Sequence, residues 1–249
     1  MSNDAITREQ LEKHLENFHQ RTRISPFLKE IVYGATDGIV TTFAVVAGFA
    51  GAQVGDVNLS IMLVLLFGFA NLFADGLSMG LGNFLSLLTE REDFRLQQLR
   101  EVDSFADNPE YELKETEFLL MEQGFTKGDA ESLAQIYKKN PAYMLDFHMR
   151  YELEMDDIVI EENPASAALA TFLAFISFGM IPLLPYVLLR GWENDFILSA
   201  VFTVFALVSL GVLRWRISHD NLLKSLFQVL VIGSGAAIVA FFVGTLFKI

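Results

Sequence analysis

The sequence contains no cysteine and little proline, with 6 prolines in 249 residues. The absence of cysteine excludes a disulfide framework, a thiolate zinc site and an iron–sulfur cluster. Any bound metal must therefore be held by carboxylate, imidazole, thioether or backbone oxygen. Basic residues are also scarce, since 18 Lys and Arg accompany 31 Asp and Glu, for a net charge of −13. A phosphate backbone needs clustered basic side chains, so we expect no nucleic-acid partner.

A motif typical of nucleotide-hydrolysing enzymes is missing as well. The sequence has no phosphate-binding Gly-x-x-x-x-Gly-Lys-Ser/Thr loop. We therefore expect that the protein is not an enzyme.

The negative charge is concentrated in one segment. Residues 90–162 contain 20 of the 31 acidic residues and 8 of the 18 basic ones, whereas the remaining 176 residues are nearly neutral. The chain thus consists of an apolar part and one acidic insert.

Five long apolar runs lie outside the insert, at 31–52, 59–88, 165–189, 196–213 and 222–247. A membrane-spanning helix needs roughly 20 mainly apolar residues. Five buried helices of a soluble core are the alternative, but the chain has too little amphipathic sequence to cover them. The predicted fold class is therefore all-α, a polytopic membrane protein with five transmembrane helices and a cytoplasmic helical domain inserted between the second and third.

The distribution of Lys and Arg predicts the orientation. Basic residues occur in the leading arm, in the insert and around 214–224, while the 53–58 loop has none and the 190–195 loop has one. The positive-inside rule then gives a cytoplasmic amphipathic N-terminal arm (1–30), transmembrane helices 1 and 2 (31–89), a cytoplasmic acidic domain (90–162) and transmembrane helices 3 to 5 (163–249). The C-terminus is expected on the opposite side. The arm could lie on the membrane surface or against the insert.

Capping signals predict four helices in the insert, near 89–105, 110–123, 127–138 and 141–157. The first continues the second span until Pro109, Thr126 with Asp129 resembles a capping box, and Asn140-Pro141 is typical of a helix start. Their expected small core is Phe94, Leu99, Phe118, Leu119, Leu133, Ile136, Tyr137, Met144, Leu145 and Phe147.

Two predicted spans contain polar residues that are costly in hydrocarbon. Asp37 lies in the first span, and a carboxylate there usually faces a cavity, a partner or an ion path, unless it sits at headgroup level. Asn71, Asp75, Met79 and Asn83 recur every four residues in the second span and so form a stripe on one helix face. A helix-packing seam would explain the asparagines, but Asp75 and Met79 together favour a site for a late first-row divalent cation.

The insert offers a second group of metal-ligand types. Glu112 and Glu115 share a helix face, and two further short groups lie nearby in sequence: Glu101 with Asp103, and His148 with Met149 and Glu152. Each group alone is more typical of a solvated surface. Converging helices could instead bring them into a carboxylate-rich metal site.

Four separated motifs resemble the vacuolar iron transporter (VIT) family: YGATDGIVTTFAVVAGFAGA at 33–52, ADGLSMGLGNFLS at 74–86, KNPAYMLDFHMRYEL at 139–153 and IPLLPY at 181–186. The resemblance covers about residues 28–247. It implies a homodimer of five-span subunits that exports Fe²⁺ from the cytoplasm in exchange for protons, and also Mn²⁺ or other divalent ions such as Co²⁺, Ni²⁺ or Zn²⁺. The insert would be the family's cytoplasmic metal-binding domain.

The resemblance also implies roles for single residues. Asp37 and Met79 would be translocation ligands, and the cytoplasmic cluster would comprise Glu101, Glu112, Glu115, Met149 and Glu152. The sequence departs from the family in three places. A family glutamate corresponds to Asn71, with Asp75 one turn later, and another falls at Ser104, next to Asp103. In addition, His148 replaces one of two adjacent methionines.

The leading hypothesis is a secondary transporter that exchanges Fe²⁺ for protons through Asp37, Asp75 and Met79. The alternative is a membrane-anchored metal sensor or storage protein without transport activity. We expect the plasma membrane as the location in a prokaryote and a vacuole-like membrane in a eukaryote.

Overall fold

The computed structural model describes residues 6–19, 27–53, 55–155, 163–189, 194–218 and 221–247. These residues form helices joined by short turns, and no strand occurs among them, which confirms the all-α class. The helices are α1 (Arg8–His19), α2 (Leu28–Ala52), α3 (Val57–Asp107), α4 (Pro109–Glu122), α5 (Lys127–Tyr137), α6 (Pro141–Tyr151), α7 (Pro164–Gly179), α8 (Leu184–Leu188), α9 (Asp195–Ser218) and α10 (Leu222–Leu246); a 3-10 turn, Ile181–Leu183, joins α7 to α8.

Five helical segments of the described chain are long and apolar enough to cross a membrane. They are Leu28–Ala52, Val57–Asp107, Pro164–Leu188, Asp195–Arg216 and Leu222–Leu246. Each of them contains one of the five predicted apolar runs in whole or in large part. The length and apolar composition of these helices are those of a multi-pass membrane protein.

The chain divides into two compact units. Unit 1 comprises Met1–Gly82 and Ser166–Ile249, and unit 2 comprises Asn83–Ala165. Helix α3 contributes its first part to unit 1 and the rest to unit 2. The predicted acidic segment 90–162 falls within unit 2, and residues 156–162 lie outside the described residues.

In unit 1, α2 packs against α9 and α10, and also lies against α7. Glycines allow the close approach to α7. A Cβ atom on Gly34 would lie 2.5 Å from the carbonyl oxygen of Thr171, and one on Gly38 would collide with the carbonyl oxygen of Phe175. These glycines flank Asp37, so the helix bearing this carboxylate is held at backbone contact distance from α7.

Small residues of α3 have the same role. Gly76 faces Phe175 and Ile176 of α7, and Gly80 faces Ala168 and Phe172. Gly82 faces open space instead. Of the four glycines of α3, Gly76 and Gly80 therefore lie against α7, on the segment that also contains Asp75 and Met79.

In the described part of the N-terminal arm, residues 6–19 comprise α1 and the two residues before it, inside the predicted range 1–30. Helix α2 begins at Leu28, so the predicted arm 1–30 extends three residues into it. Ile6 and Leu11 are exposed, while the side chains of Leu15 and Phe18 lie outside the described residues.

In unit 2, α5 and α6 begin at the predicted residues. Thr126 caps α5 by accepting a hydrogen bond from the Asp129 amide, and Asn140 caps α6 in the same way through the amide of Tyr143. The predicted break at Pro109 is confirmed, since α3 runs without interruption to Asp107.

The predicted end of the last helix of the insert is wrong. Helix α6 ends at Tyr151 rather than near residue 157. Glu154 takes a left-handed conformation with φ of 55°, and the Met155 amide turns back to the carbonyl of Met149. Such backward hydrogen bonds satisfy the free carbonyls of the last turn and terminate the helix.

The core of unit 2 differs in part from the prediction. Leu119, Leu120, Ala130, Ala134 and Phe147 form a buried cluster, and Phe94 and Met144 are also buried. Leu99, Phe118 and Ile136 were expected in this core but are exposed. Small alanines of α5 fill the space instead, which lets α4 and α6 pack close to it.

Replacing Gly38 with alanine should lower the free energy of unfolding by about 1–3 kcal/mol, because the added methyl group has no room against the α7 backbone. The measurement is an SDS titration of the purified protein in mixed micelles. Gly82→Ala is the matched control. Its Cβ atom would meet nothing within 4 Å, so the unfolding free energy should stay equal or rise. Equal stability of the two variants would contradict this packing.

Candidate metal centre

Three helices of unit 2 bring one imidazole and four carboxylates together. Glu101 comes from α3, Glu112 and Glu115 come from α4, and His148 comes from α6, with Glu152 as its C-cap residue. Their ligand atoms form two overlapping groups, each within 4.8 Å: Glu101 with His148 and Glu152, and Glu112 with Glu115 and His148. His148 belongs to both groups and is the centre of the cluster.

Local structure explains how α3 and α4 converge. The chain turns at Asn108 and Pro109, and proline is favoured at the first position of the new helix because it lacks an amide hydrogen. The turn places Ser104 of α3 beside Glu112 of α4, and the Ser104 hydroxyl donates a short hydrogen bond to Oε1 of Glu112. One oxygen of Glu112 is thereby fixed, and the other is left to face the imidazole.

Nδ1 of His148 faces three carboxylates. It lies 2.9 Å from Oε1 of Glu101, 2.9 Å from Oε2 of Glu152 and 3.6 Å from Oε2 of Glu112. The imidazole is completely buried, and Glu101 and Glu112 are 8% and 2% exposed. Charged groups so far from water interact strongly with one another, since little solvent screens them.

One proton cannot satisfy these three carboxylates. Nδ1 carries at most one hydrogen, and its contact with Glu152 has hydrogen-bond geometry. Oε1 of Glu101 and Oε2 of Glu112 are buried and accept no hydrogen bond. A buried carboxylate oxygen without a partner is unfavourable, so the cluster has the charge and the free lone pairs to bind a cation.

The other side of the ring is also held. Nε2 lies 2.7 Å from the hydroxyl of Thr116, which in turn donates to the Glu112 carbonyl at 2.8 Å. Phe105 packs edge-on against the ring with centroids 5.0 Å apart. The imidazole therefore has a fixed orientation.

The pKa values of three residues of the cluster, His148, Glu115 and Glu152, are all raised. Burial lowers the pKa of His148, but its interactions with the Glu101 and Glu152 carboxylates outweigh this effect, so the pKa is raised above 6.5. Burial raises the pKa of Glu115, and the charge of Glu112 adds to this effect. The pKa of Glu152 is also raised, by burial and then by the charges of Glu101 and Glu115. Protons thus compete with a cation for the cluster.

Unit 1 holds the other group of predicted residues. Asp37 on α2 and Asp75 on α3 are both half-buried and lie close enough for their charges to interact. Met79 is also half-buried and packs against the apolar core formed by residues such as Leu72 and Phe175. The two carboxylates thus belong to different helices of unit 1 and interact electrostatically.

Comparison with known proteins assigns the chain to a family. The model of the VIT family matches residues 28–245. Vacuolar iron transporter 1 of Arabidopsis thaliana is 32% identical over 217 residues, which are 86% of this chain and 83% of the relative. A vacuolar iron transporter of Toxoplasma gondii is 33% identical over 255 residues, 98% of this chain and 81% of the relative, and one of Centaurea cyanus is 30% identical over 92% of both chains.

The chain belongs to the VIT family. This confirms the resemblance that the four sequence motifs carry, and the family match covers nearly the same residues.

Asp103 is the predicted carboxylate of this VIT family member's insert that lies apart from the cluster. Asp103 is exposed on α3, and Ser104 makes the contact with Glu112 instead. Met149 is buried next to His148 in the chain, and its backbone carbonyl accepts the Met155 amide. The five remaining predicted residues of the insert are those that the structure brings together.

Sequence reasoning missed three polar residues. Ser104 and Thr116 contact the cluster, and Thr116 could have been found from its position one helical turn after Glu112. Glu30 is buried in the first turn of α2, and its Oε2 accepts no hydrogen bond. It lies seven residues before Asp37, on the same side of the helix, and falls inside the predicted arm 1–30.

The metal-free full-length chain should lose stability as the pH rises. The raised pKa of His148 contributes stability that is present below 6.5 and is lost as the pH rises through its raised value. The shifts of Glu115 and Glu152 have the same sign, because the folded chain holds their protons more tightly than the unfolded chain. The test is the melting temperature in chelator between about pH 5 and 8.5.

His148→Gln provides the comparison for that experiment. It should flatten the part of the profile above pH 6.5, because it removes the imidazole whose raised pKa lies there. Parallel profiles for the wild type and the variant would contradict the raised pKa.

Proposed function

We propose that this protein transports Fe²⁺ across a membrane in exchange for protons, with the acidic cluster of unit 2 as its capture site. The observation that carries the proposal is the convergence of three carboxylates on the single Nδ1 of buried His148, which leaves two buried oxygens without a hydrogen bond. A divalent cation would neutralise this charge and use these lone pairs. The matched relatives are named vacuolar iron transporters, which supports iron as the cargo.

The ligand types agree with this cargo. Carboxylate oxygen and imidazole nitrogen suit Fe²⁺ and its neighbours Mn²⁺, Co²⁺, Ni²⁺ and Zn²⁺, and none of the ligands requires a soft metal. We propose that the same cluster also binds these other ions, with Mn²⁺ bound more weakly than Fe²⁺.

Asp37, Asp75 and Met79 would form the translocation site. Two carboxylates near one another in a membrane-spanning region are costly unless a cation or protons neutralise them. Protons that enter from the far side would displace the metal from Asp37 and Asp75, because metal ligands must be deprotonated. This competition would couple metal release to proton entry.

The proposed arrangement in the membrane follows the basic residues. The five long helices would cross the bilayer, with the N-terminus and unit 2 in the cytoplasm and the C-terminus on the opposite side.

A homodimer would enclose the polar stripe of α3, whose neighbouring face exposes Phe73, Leu77 and Leu81. The vacuolar membrane, or the plasma membrane of a prokaryote, would be the location.

Replacing Asp37 with asparagine should abolish Fe²⁺ uptake driven by a pH gradient in proteoliposomes, because the amide can neither bind a proton nor donate a negative charge to the metal. Asp56→Asn is the matched control. Asp56 is exposed and caps α3 by accepting the amides of Asn58 and Leu59, which asparagine can also do. Uptake by Asp37→Asn at the control level would disprove the coupling role.

The same assay separates transport from the alternative of a metal sensor or store. A sensor would bind Fe²⁺ at the cluster, but wild-type vesicles would show no Fe²⁺ flux with or without a proton gradient. Such a result would agree with the proposed capture site but would refute the transport proposal.

Replacing Glu112 with glutamine should weaken Fe²⁺ binding to the purified full-length chain by at least about tenfold, since outer-shell partners alone typically contribute 10–100-fold and this residue is a direct ligand. Glu110→Gln is the control, because Glu110 is exposed in the first turn of the same helix. The measurement is anaerobic titration calorimetry. Equal affinities of the two variants would place the capture site elsewhere.

A further inference from the structure

Thr116 holds the side of the His148 ring that faces away from the carboxylates. Its hydroxyl is completely buried, and Oγ1 lies 2.7 Å from Nε2. The hydroxyl has one hydrogen, and the Glu112 carbonyl accepts it at 2.8 Å. The hydroxyl oxygen is then left as an acceptor for the ring, so Nε2 carries a hydrogen whether or not Nδ1 also carries one.

This hydrogen-bond direction is the ordinary one for threonine in a helix. Thr36, Thr41 and Thr203 also donate to the carbonyl four residues earlier. Thr116 differs from these three in that its oxygen also meets an imidazole. The Thr116 hydroxyl hydrogen is therefore used in the bond to the Glu112 carbonyl. The lone pairs of Oγ1 then point toward the His148 ring.

The consequence concerns the other ring nitrogen. A neutral imidazole has one hydrogen, and when this is on Nε2 the lone pair is on Nδ1. Nδ1 is the atom that lies 2.9 Å from both Glu101 and Glu152. Metal-binding histidines usually donate their other N–H to an acceptor that fixes the tautomer.

We propose that Thr116 is a positioning residue that makes Nδ1 of His148 a ligand of the captured divalent ion. The inference rests on the proposed capture of a cation by this cluster. It extends that proposal by assigning the ligand atom and the residue that selects it.

The test uses the full-length chain in detergent, with ¹⁵N-labelled histidine and Mn²⁺ as the probe. Pulsed EPR should detect a coordinated histidine nitrogen in the wild type and lose this coupling in His148→Gln. Thr116→Val, which keeps the shape but removes the acceptor, should weaken Mn²⁺ binding by about 10–100-fold and reduce the nitrogen coupling. Thr116→Ser keeps the hydroxyl and should preserve both.

A double-mutant cycle distinguishes positioning from general packing. In the His148→Gln background, Thr116→Val should change the Mn²⁺ affinity by no more than about twofold, because the proposed role acts through the imidazole. An equal loss in both backgrounds would overturn the inference. So would wild-type affinity and coupling in Thr116→Val.

A further measurement requires no variant at position 116. Long-range ¹H–¹⁵N spectra of the Zn²⁺-loaded wild type should show His148 with its proton on Nε2 and the metal on Nδ1, and the reverse pattern would overturn the inference. Absence of any Mn²⁺ and Fe²⁺ binding by the wild type would overturn the proposed function and this inference with it. Normal binding by Thr116→Val overturns the inference alone.

Discussion

One nitrogen atom governs the chemistry of unit 2. Nδ1 of His148 is surrounded by Glu101, Glu112 and Glu152 at hydrogen-bond or ion-pair distance, yet it can give a hydrogen to only one of them. Burial removes the water that would otherwise satisfy the remaining oxygens. The loss of a partner by a buried polar group typically costs about 1–3 kcal/mol, and more for a charged group. An arrangement with this cost is best explained by a ligand that removes it.

The same constraint applies separately within unit 1. Asp37 and Asp75 are half-buried on segments that pack tightly through Gly38, Gly76 and Gly80. In the proposed function, the two carboxylates exchange a metal ion for protons, so neither charge is left alone in hydrocarbon. Tight glycine packing would keep this region rigid enough for the two carboxylates to stay close together.

Local signals in the sequence determined much of the fold. The apolar runs predicted the long helices, and the caps at Thr126 and Asn140 marked the helix starts because they depend only on neighbouring residues. The end of α6 was not predicted, since it depends on a left-handed Glu154 that has no glycine to signal it. Leu99, Phe118 and Ile136 were misplaced because helical spacing does not say which of several apolar positions faces the core.

For the candidate site, too, some features could be predicted from the sequence and others could not. Residue type and the family motifs identified Glu101, Glu112, Glu115, His148 and Glu152 as candidates, and the structure brings these five together. The sequence could not reveal that His148 is central, because that depends on how α3, α4 and α6 converge. The roles of Ser104 and Thr116 could not be predicted either. A serine or threonine in a helix gives no sign of function until the residue that its hydroxyl contacts on another helix is known.

The most direct test of the account is X-ray absorption at the iron edge of the full-length chain loaded anaerobically with one equivalent of Fe²⁺. The account predicts a shell of oxygen and nitrogen ligands with the multiple-scattering pattern of a coordinated imidazole, which disappears in His148→Gln. A wild-type spectrum without imidazole scattering, or one that His148→Gln leaves unchanged, would contradict it.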